Sequence, residues 1–296
     1  MTLAIVTPSH RPDLRRFERL HRSVLRHTGP EVSHYVLVPR PDVKEFTALA
    51  SPRLTVLCQT DVIPGHFLST TPLSRIPRLP RGYRITSVNL ARPWPPVRGW
   101  IQQQLVKIAF SASLDTDVVL MIDSDVVLVR SLEESTFRRG SQVRHYRLPH
   151  GVSAAMHRHL GWRTGAATIL GLAAPSIDFA DYNAGLISWS PALLRALTRR
   201  VEEVSSRPWA TLLGSRLDIS EYFLHGEFLA SGLVARERYY CSDQSLCHNC
   251  WDELTPDRVD DFIASMPATD VALLVQSNSG TRETVLDQVV NTLEAS

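Results

Sequence analysis

The sequence predicts an α/β fold in which helices flank a doubly wound, mixed β-sheet. Three observations lead to this prediction. Apolar runs typical of buried strands alternate with amphipathic helical segments from the first residues onward. A dense apolar stretch at Asp117–Val129 is typical of a central strand that is buried on both faces. The chain has 296 residues, of which 44% are hydrophobic, so it can bury one large core or two fused halves.

The first sixty residues show this alternation most clearly. The apolar run Leu3–Thr7 ends at a proline, which is typical of a short buried strand. In Pro12–His27 apolar residues recur every three or four positions, which predicts an amphipathic helix that stops before Gly29. The remaining elements predicted here are a strand over His34–Pro39, a helix over Val43–Leu49 and a strand over Leu54–Leu57.

A proline-rich stretch at Asp61–Arg98 breaks the pattern, because it shows no sustained periodicity. A structureless loop of this length inside a compact domain is usually functional or mobile. We therefore predict a lid or binding loop over a ligand site. A disordered insertion without such a role is the alternative.

The next elements surround a pair of acidic residues. Gly99–Leu114 has the spacing of an amphipathic helix and leads into the apolar stretch Asp117–Val129. Asp123 and Asp125 stand in the middle of that stretch, and unpaired carboxylates are costly to bury. They are therefore expected at the end of the strand, with a cation to compensate their charge.

The rest of the chain completes a single domain without internal repeats. We predict an N-terminal part, residues 1–190, and a C-terminal part, residues 191–296. The further predicted elements are a strand over Tyr182–Ser190, a helix over Pro191–Ser205, a helix near Ile219–Ala230, and a final strand and helix within Val271–Leu293.

Charge and hydropathy argue against several classes of partner. The net charge of +2 creates no field strong enough to make nucleic acid or an anionic membrane the main partner. No stretch approaches the ~18 apolar residues of a membrane span, and the run at Leu3–Val6 is too short for a signal-peptide core. Together with the four cysteines, these features predict a soluble cytoplasmic protein.

The spacing of Asp123 and Asp125 predicts a metal site. Carboxylates at positions i and i+2, where a buried strand opens into a loop, can both reach one divalent ion. A hard cation such as Mn²⁺ or Mg²⁺ prefers oxygen ligands and accepts phosphate oxygens in its shell. An aspartate pair that only caps a turn or a helix is the alternative.

Histidine and cysteine residues near the C-terminus are further candidate ligands. His248 is a candidate third ligand of the same metal, with a structural role as the alternative. The cluster of Cys241, Cys247 and Cys250 beside this histidine leaves a zinc site open, although structural zinc usually takes two well-spaced ligand pairs.

Three segments in chain order resemble one protein family. They are TPSHRPD after the first strand, Arg98–Leu132 with its Gly-Trp, Gln-Gln and Asp-Ser-Asp, and Asp218–Phe228 with its Ser-Glu-Tyr. These segments resemble bacterial glycosyltransferases of the GT-A type, in the family DUF6492. The resemblance implies a GT-A-like fold and transfer of a sugar from a nucleotide-diphosphate sugar to the hydroxyl of a small-molecule or saccharide acceptor. It also implies that residues 1–190 bind the donor and residues 191–296 the acceptor.

The resemblance implies roles for individual residues at the donor site. Lys107 lies one helical turn from Gln103 and is expected to contact the diphosphate, with a helix-surface lysine that packs its stem as the alternative. Asn183 is expected near the donor sugar, with a polar strand end as the alternative. The donor contacts implied by the resemblance are Thr7, Pro8, Ser9, Arg11, Arg98, Gln103, Lys107, Asp123, Asn183 and Gly185.

The catalytic base is sought among the acidic and histidine residues of the third segment. An inverting transferase needs a carboxylate or a histidine within hydrogen-bond reach of the acceptor hydroxyl. Glu221 and His225 stand four residues apart and would share one face of a helix. We predict Glu221 as the base, with Asp218 as the second candidate and His225 as the third. A glutamate that only stabilises the helix dipole is the alternative.

Two other functions remain open at this point. The segment IDSDVV also fits the nucleophile loop of haloacid-dehalogenase-type phosphatases, in which one aspartate attacks phosphorus. That mechanism needs a lysine further along the chain, and no lysine follows Lys107. A non-catalytic protein that binds sugar nucleotides is the other alternative.

Overall fold

The computed structural model of the chain describes residues 2–70, 85–173 and 179–295. Elements are numbered in chain order over these residues. The strands are β1 (Leu3–Pro8), β2 (Ser33–Val38), β3 (Leu54–Cys58), β4 (Phe67–Ser69), β5 (Ile85–Asn89), β6 (Arg92–Arg98), β7 (Val118–Ile122), β8 (Val126–Leu128), β9 (Arg138–Arg139), β10 (Gln142–Tyr146), β11 (Leu186–Trp189), β12 (Tyr239–Ser242), β13 (Cys247–Cys250) and β14 (Ala272–Val275). The helices are α1 (Leu14–His27), α2 (Val43–Thr47), α3 (Gln59–Val62), α4 (Gly99–Ser113), α5 (His157–Leu170), α6 (Pro191–Ser205), α7 (Trp209–Gly214), α8 (Glu221–Ala230), α9 (Val259–Ala264) and α10 (Glu283–Ala295).

The central sheet has the strand order β11-β7-β1-β2-β3 in the described part of the chain. Strands β1, β2, β3 and β7 are parallel, and β11 runs antiparallel to β7. The predicted α/β class with a mixed sheet is therefore confirmed. Because β2 lies on one side of β1 and β7 on the other, the strand order runs outward from β1 in both directions. In open α/β sheets ligands bind at the carboxyl ends of the strands where the order reverses.

Helices cover both faces of the central sheet, because successive side chains of β1 point to opposite faces. Ile5 packs with Phe17 and Leu20 of α1 in one core cluster. Val6 packs with Ile101 and residues of α4 in the cluster on the other face. This second cluster also contains side chains of α6, α7 and α8. The two parts of the chain, residues 1–190 and 191–296, thus share a core.

The stretch Asp117–Val129 forms two strands, which corrects the single-strand prediction. Strand β7 ends at Ile122, and β8 starts at Val126 in another sheet, with the order β13-β14-β8. The residues between them form a turn in which Val126 N donates to Asp123 O over 3.2 Å. The apolar residues on both sides are equally buried, so hydropathy alone does not mark the break. As predicted, the acids lie where the first strand ends.

The stretch Asp61–Arg98 is partly folded as a sheet, which corrects its prediction as one long loop. Strands β4, β5 and β6 pair antiparallel in that order. In the described residues β6 pairs only with β5, and an edge strand tolerates its prolines Pro93, Pro95 and Pro96. Residues 71–84 of the predicted lid lie outside the described residues.

Several elements of the structure are not predicted from the sequence, among them α5, α7, α9, β10, β12 and β13. Helix α5 packs against both α6 and α8, so its apolar residues are not confined to one stripe. Strand β10 joins β9 and β12 in a small separate sheet. Within the described ranges no helix is both long enough and apolar enough to cross a membrane.

Candidate active site

The two aspartates lie where the carboxyl ends of β1 and β7 come together. Ser124, between them, donates a hydrogen bond from its Oγ to Ser9 Oγ over 2.8 Å. Ser9 directly follows β1, so this bond ties the acidic turn to the end of the neighbouring strand. Asp123 and Asp125 therefore stand at the edge of the sheet where a ligand is expected.

Asp125 is the more buried of the two aspartates, with 9% of its surface exposed. Its Oδ2 accepts a hydrogen bond from Ser277 N over 3.1 Å. Burial, followed by the charge of Asp123, raises the pKa of Asp125 to about 6. A cation would stabilise the ionised form of a carboxylate that is buried beside another negative charge.

Lys107 supplies one positive charge beside this pair. Its Nζ lies 3.1 Å from Asp123 Oδ1 and 3.0 Å from Glu221 Oε1, and it donates to Tyr222 Oη over 2.9 Å. Burial alone would lower the pKa of Lys107, but the charges of Asp123 and Glu221 outweigh it and raise the pKa well above its usual value. Lys107 therefore remains an ammonium ion that joins α4 to the acidic turn and to α8.

Glu221 is the first residue of α8 and has only 1% of its surface exposed. Its backbone N donates to Gln104 Oε1 over 2.9 Å, which anchors the helix start on α4. Burial raises the pKa of Glu221, and the charge of Lys107 opposes this rise. Glu221 Oε2 has no hydrogen-bond partner among the described residues. The structure thus places the predicted base next to the aspartates, but beneath the surface.

His248 is not brought to the aspartates. It lies on β13, where its Nε2 is 3.0 Å from Phe262 O and its ring packs against the Phe262 ring. Side chains of β13 alternate between faces, and Cys250, on the same face as His248, belongs to the core cluster beneath α9 and α10. In the described chain no three His, Cys, Asp or Glu side chains converge as a metal site, which includes the cysteine cluster considered for zinc.

Asn249, on the opposite face of β13, was not singled out by sequence. A Cβ atom added to Gly185 would lie 3.3 Å from Asn249 Oδ1 and 2.5 Å from Cys247 Sγ, so the 183–185 segment passes directly over this face. Burial, then the charges of Asp270 and Asp125, raise the pKa of the Cys247 thiol, so Asp125 lies within electrostatic reach. Asn249 Oδ1 is buried without a described partner. Because side chains alternate along a strand, the position of Asn249 on this face follows from the bounds of β13, which are not predicted from the sequence.

The other two candidate bases differ in their exposure. Asp218 has a half-exposed side chain and accepts from Trp162 Nε1 over 2.9 Å. His225 is buried against His145 and Trp189, at centroid distances of 5.4 and 5.8 Å. Burial lowers the pKa of His225 to about 3, so it is a neutral core side chain. Of the two, Asp218 alone is accessible to an acceptor.

A cavity of about 540 Å³ lies beside Ser9, at the carboxyl ends of β1, β2 and β3. This volume is within the usual range for pockets that bind small molecules. Prolines, Ile85 and Trp100 form its apolar walls. Three predicted donor contacts line it, namely Ser9, Arg11 and Gln103.

The remaining predicted donor contacts lie outside this lining. Thr7 is fully buried, and its Oγ1 lies 3.0 Å from His34 Nε2, away from the cavity. Pro8 is the last, buried residue of β1. Arg98 donates from Nη1 to Leu217 O over 3.3 Å. Asn183 Nδ2 lies 3.3 Å from His159 Nε2.

Comparison with known proteins identifies one family. The family model described as "Family of unknown function (DUF6492)" matches residues 1–262. No curated protein matches the chain. Among solved structures, an active-site mutant of LgtC is similar with a TM-score of 0.49 and 13% sequence identity, over 99% of this chain and 95% of that one.

Proposed function

The chain belongs to the DUF6492 family, whose function is unknown, and we propose that it is a metal-dependent glycosyltransferase of the GT-A type. The observation that carries this proposal is the contact between Ser9 and Ser124. Ser9 lines the cavity at the strand ends, and its Oγ accepts the hydrogen bond of Ser124 between the two aspartates. A nucleotide in the cavity would therefore direct its phosphates towards the acidic turn.

The residues around the turn fit a divalent cation such as Mn²⁺ or Mg²⁺. Burial, followed by the charge of Asp123, makes ionised Asp125 costly, and a bound cation would offset that cost. Asn249 Oδ1, on β13, is buried and has no hydrogen-bond partner in the part of the chain that the structure describes. We propose Asp123 and Asp125 as ligands, with Asn249 in place of His248. When bound, the ion would supply positive charge that stabilises the negative charge developing on the leaving group.

The chain's own cation has a separate task in this proposal. Lys107 Nζ forms ion pairs with two carboxylates, those of Asp123 and Glu221. The ammonium is nearly fully buried, and its contact with Oδ1 fixes the orientation of the Asp123 side chain within the turn. This orientation is set before a ligand arrives, which lowers the cost of assembling the site.

Two carboxylates are candidates for the group that takes the acceptor proton. Glu221 remains the first, because burial raises its pKa and so makes it a stronger base. Asp218 is the more accessible one, and it contacts Trp162, whose ring stacks on Trp100 at the cavity. Substitution of each carboxylate separates the two, as argued in the Discussion.

Nucleotide binding and turnover test this function together. We expect at least one nucleoside diphosphate among UDP, GDP, CDP and ADP to raise the melting temperature more with Mn²⁺ than with EDTA. The matching sugar nucleotide should be hydrolysed slowly without an acceptor. Absence of any metal-dependent shift would contradict the proposal. Binding without turnover would indicate a sugar-nucleotide-binding protein, and release of phosphate from simple esters would indicate a phosphatase.

A further inference from the structure

Two glutamine side chains that line the cavity form a hydrogen-bonded chain. Gln59, on α3, donates from its Nε2 to Ser9 O over 3.3 Å and to Leu37 O over 3.0 Å. Backbone carbonyls only accept, so the NH₂ group of Gln59 must face them. The orientation of this amide is therefore determined by the backbone and cannot be reversed without losing two hydrogen bonds.

The fixed amide of Gln59 orients the next one. Gln59 Oε1 faces away from the backbone and accepts from Gln102 Nε2 over 3.0 Å. Gln102 must consequently turn its own carbonyl oxygen in the other direction. That oxygen is buried and has no hydrogen-bond partner among the described residues, although Gln102 lines the cavity. Buried polar atoms without a partner are uncommon and call for a missing donor.

We propose that Gln102 Oε1 reads the base of the nucleotide, and that this base carries a ring N–H, as uracil and guanine do. This inference rests on the proposed function. The apolar part of the cavity lining consists of prolines, Ile85 and Trp100, which suits a flat base better than a ribose. The ring N–H of uracil or guanine can donate to the fixed oxygen.

Cytosine and adenine present a lone pair at the same ring position. Against Gln102 Oε1 this would place two acceptors opposite each other, and neither would have a proton. Reversal of the Gln102 amide would present an NH₂ donor to this lone pair. Gln59 prevents the reversal, because its Oε1 accepts the hydrogen bond of Gln102 Nε2. Gln59 thus acts as a positioning residue, and Gln102 selects the base.

Dissociation constants for UDP, CDP, GDP and ADP, measured by calorimetry in Mn²⁺, test this inference. The wild-type protein should bind UDP more tightly than CDP, or GDP more tightly than ADP, by about tenfold or more. Gln102→Met keeps the length of the side chain but removes the acceptor. This substitution should weaken binding of the preferred nucleotide and bring the ratio of the two dissociation constants within its pair close to one. Gln288→Met, at an exposed position on α10, is the matched control and should leave all four constants unchanged.

Gln59→Met tests the orientation itself, because it releases Gln102 while leaving its amide in place. In this variant the ratio of the two dissociation constants within the preferred pair should fall towards one, because CDP or ADP binds more tightly. A loss of folding would not produce tighter binding. Equal affinities within both pairs for the wild type would overturn the inference, as would ratios that neither substitution changes. If no nucleoside diphosphate binds at all, the proposed function fails with it. Binding without discrimination overturns only the role of Gln102.

Discussion

Lys107 and Glu221 form a buried ion pair directly beside the acidic turn, with Nζ 3.0 Å from Oε1. They belong to α4 and α8, which lie far apart in the sequence. The same ammonium is 3.1 Å from Asp123 Oδ1, so one cation is shared between the turn and the C-terminal part of the chain. A change of charge at the acidic turn therefore also affects the ion pair that holds the start of α8.

Removal of either aspartate should abolish metal-dependent activity. Asp125→Ala removes a proposed direct ligand, so transfer should be lost and Mn²⁺-dependent affinity for the nucleoside diphosphate should fall. Asp123→Ala should lose transfer but retain weak metal binding, because Asp125 remains. Calorimetry with and without Mn²⁺ measures both effects. Asp115→Ala, at an exposed aspartate before β7, is the control. Full activity of both site variants in EDTA would refute the metal proposal.

Glu221→Gln tests the proton acceptor. It keeps the shape of the side chain and one oxygen for Lys107 but removes the basic carboxylate. If Glu221 takes the acceptor proton, the rate of transfer should fall by ~10²–10⁴-fold while donor affinity stays nearly constant. Asp218→Asn, made in parallel, tests the second candidate. Turnover of Glu221→Gln close to that of the wild type, with an unchanged circular dichroism spectrum, would rule out this role.

Lys107→Met alone should destabilise the fold more than Lys107→Met combined with Glu221→Gln. The single change leaves Glu221 buried without its counter-ion, and breaking one partner of a buried pair costs about 3–5 kcal/mol. Adding Glu221→Gln removes the stranded charge and should restore most of the lost unfolding free energy. Urea denaturation of the two single variants and the double variant forms a complete cycle. Additive losses in this cycle would show that the two charges are not coupled.

Two buried histidines should make the fold sensitive to acid. His21 Nδ1 lies 2.9 Å from His34 Nδ1, and burial, aided by Arg53, lowers the pKa of His21 to about 4. Burial also lowers the pKa of His34 well below its usual value. Because the unfolded chain binds these protons near pH 6.5 and the folded chain does not, stability should fall as the pH drops from 6.5 towards 4.

The slope expected from His21 is about 1.4 kcal/mol per pH unit within that window, and stability above pH 6.5 should not change on its account. His21→Phe removes this group and should reduce the slope of the unfolding free energy against pH by about 1.4 kcal/mol per pH unit between pH 4 and 6.5, measured by urea denaturation. A slope should remain, because burial also lowers the pKa of His34, His145 and His225. An equal slope for wild type and variant would contradict the assignment to His21.

Local patterns in the sequence were sufficient for the regular elements that carry a strong period. Helix α6 starts and ends at the predicted residues, Pro191 and Ser205, because its apolar stripe and its ends are local properties. The strand at Leu3 is predictable because its first four residues form an apolar run. Asp123 and Asp125 could be singled out without coordinates, because carboxylates are costly inside a buried strand. The α/β class followed from the order of these elements.

Only the tertiary structure decided which side chains meet. Lys107 faces Glu221, Gln59 orients Gln102, and Gly185 passes over Asn249, each through contacts between segments remote in the sequence. Periodicity reports the face on which a residue lies but not its neighbour across the core. The same limit explains the placement of His248: its face of β13 depends on strand parity, and no local signal distinguishes that face from the one that carries Asn249.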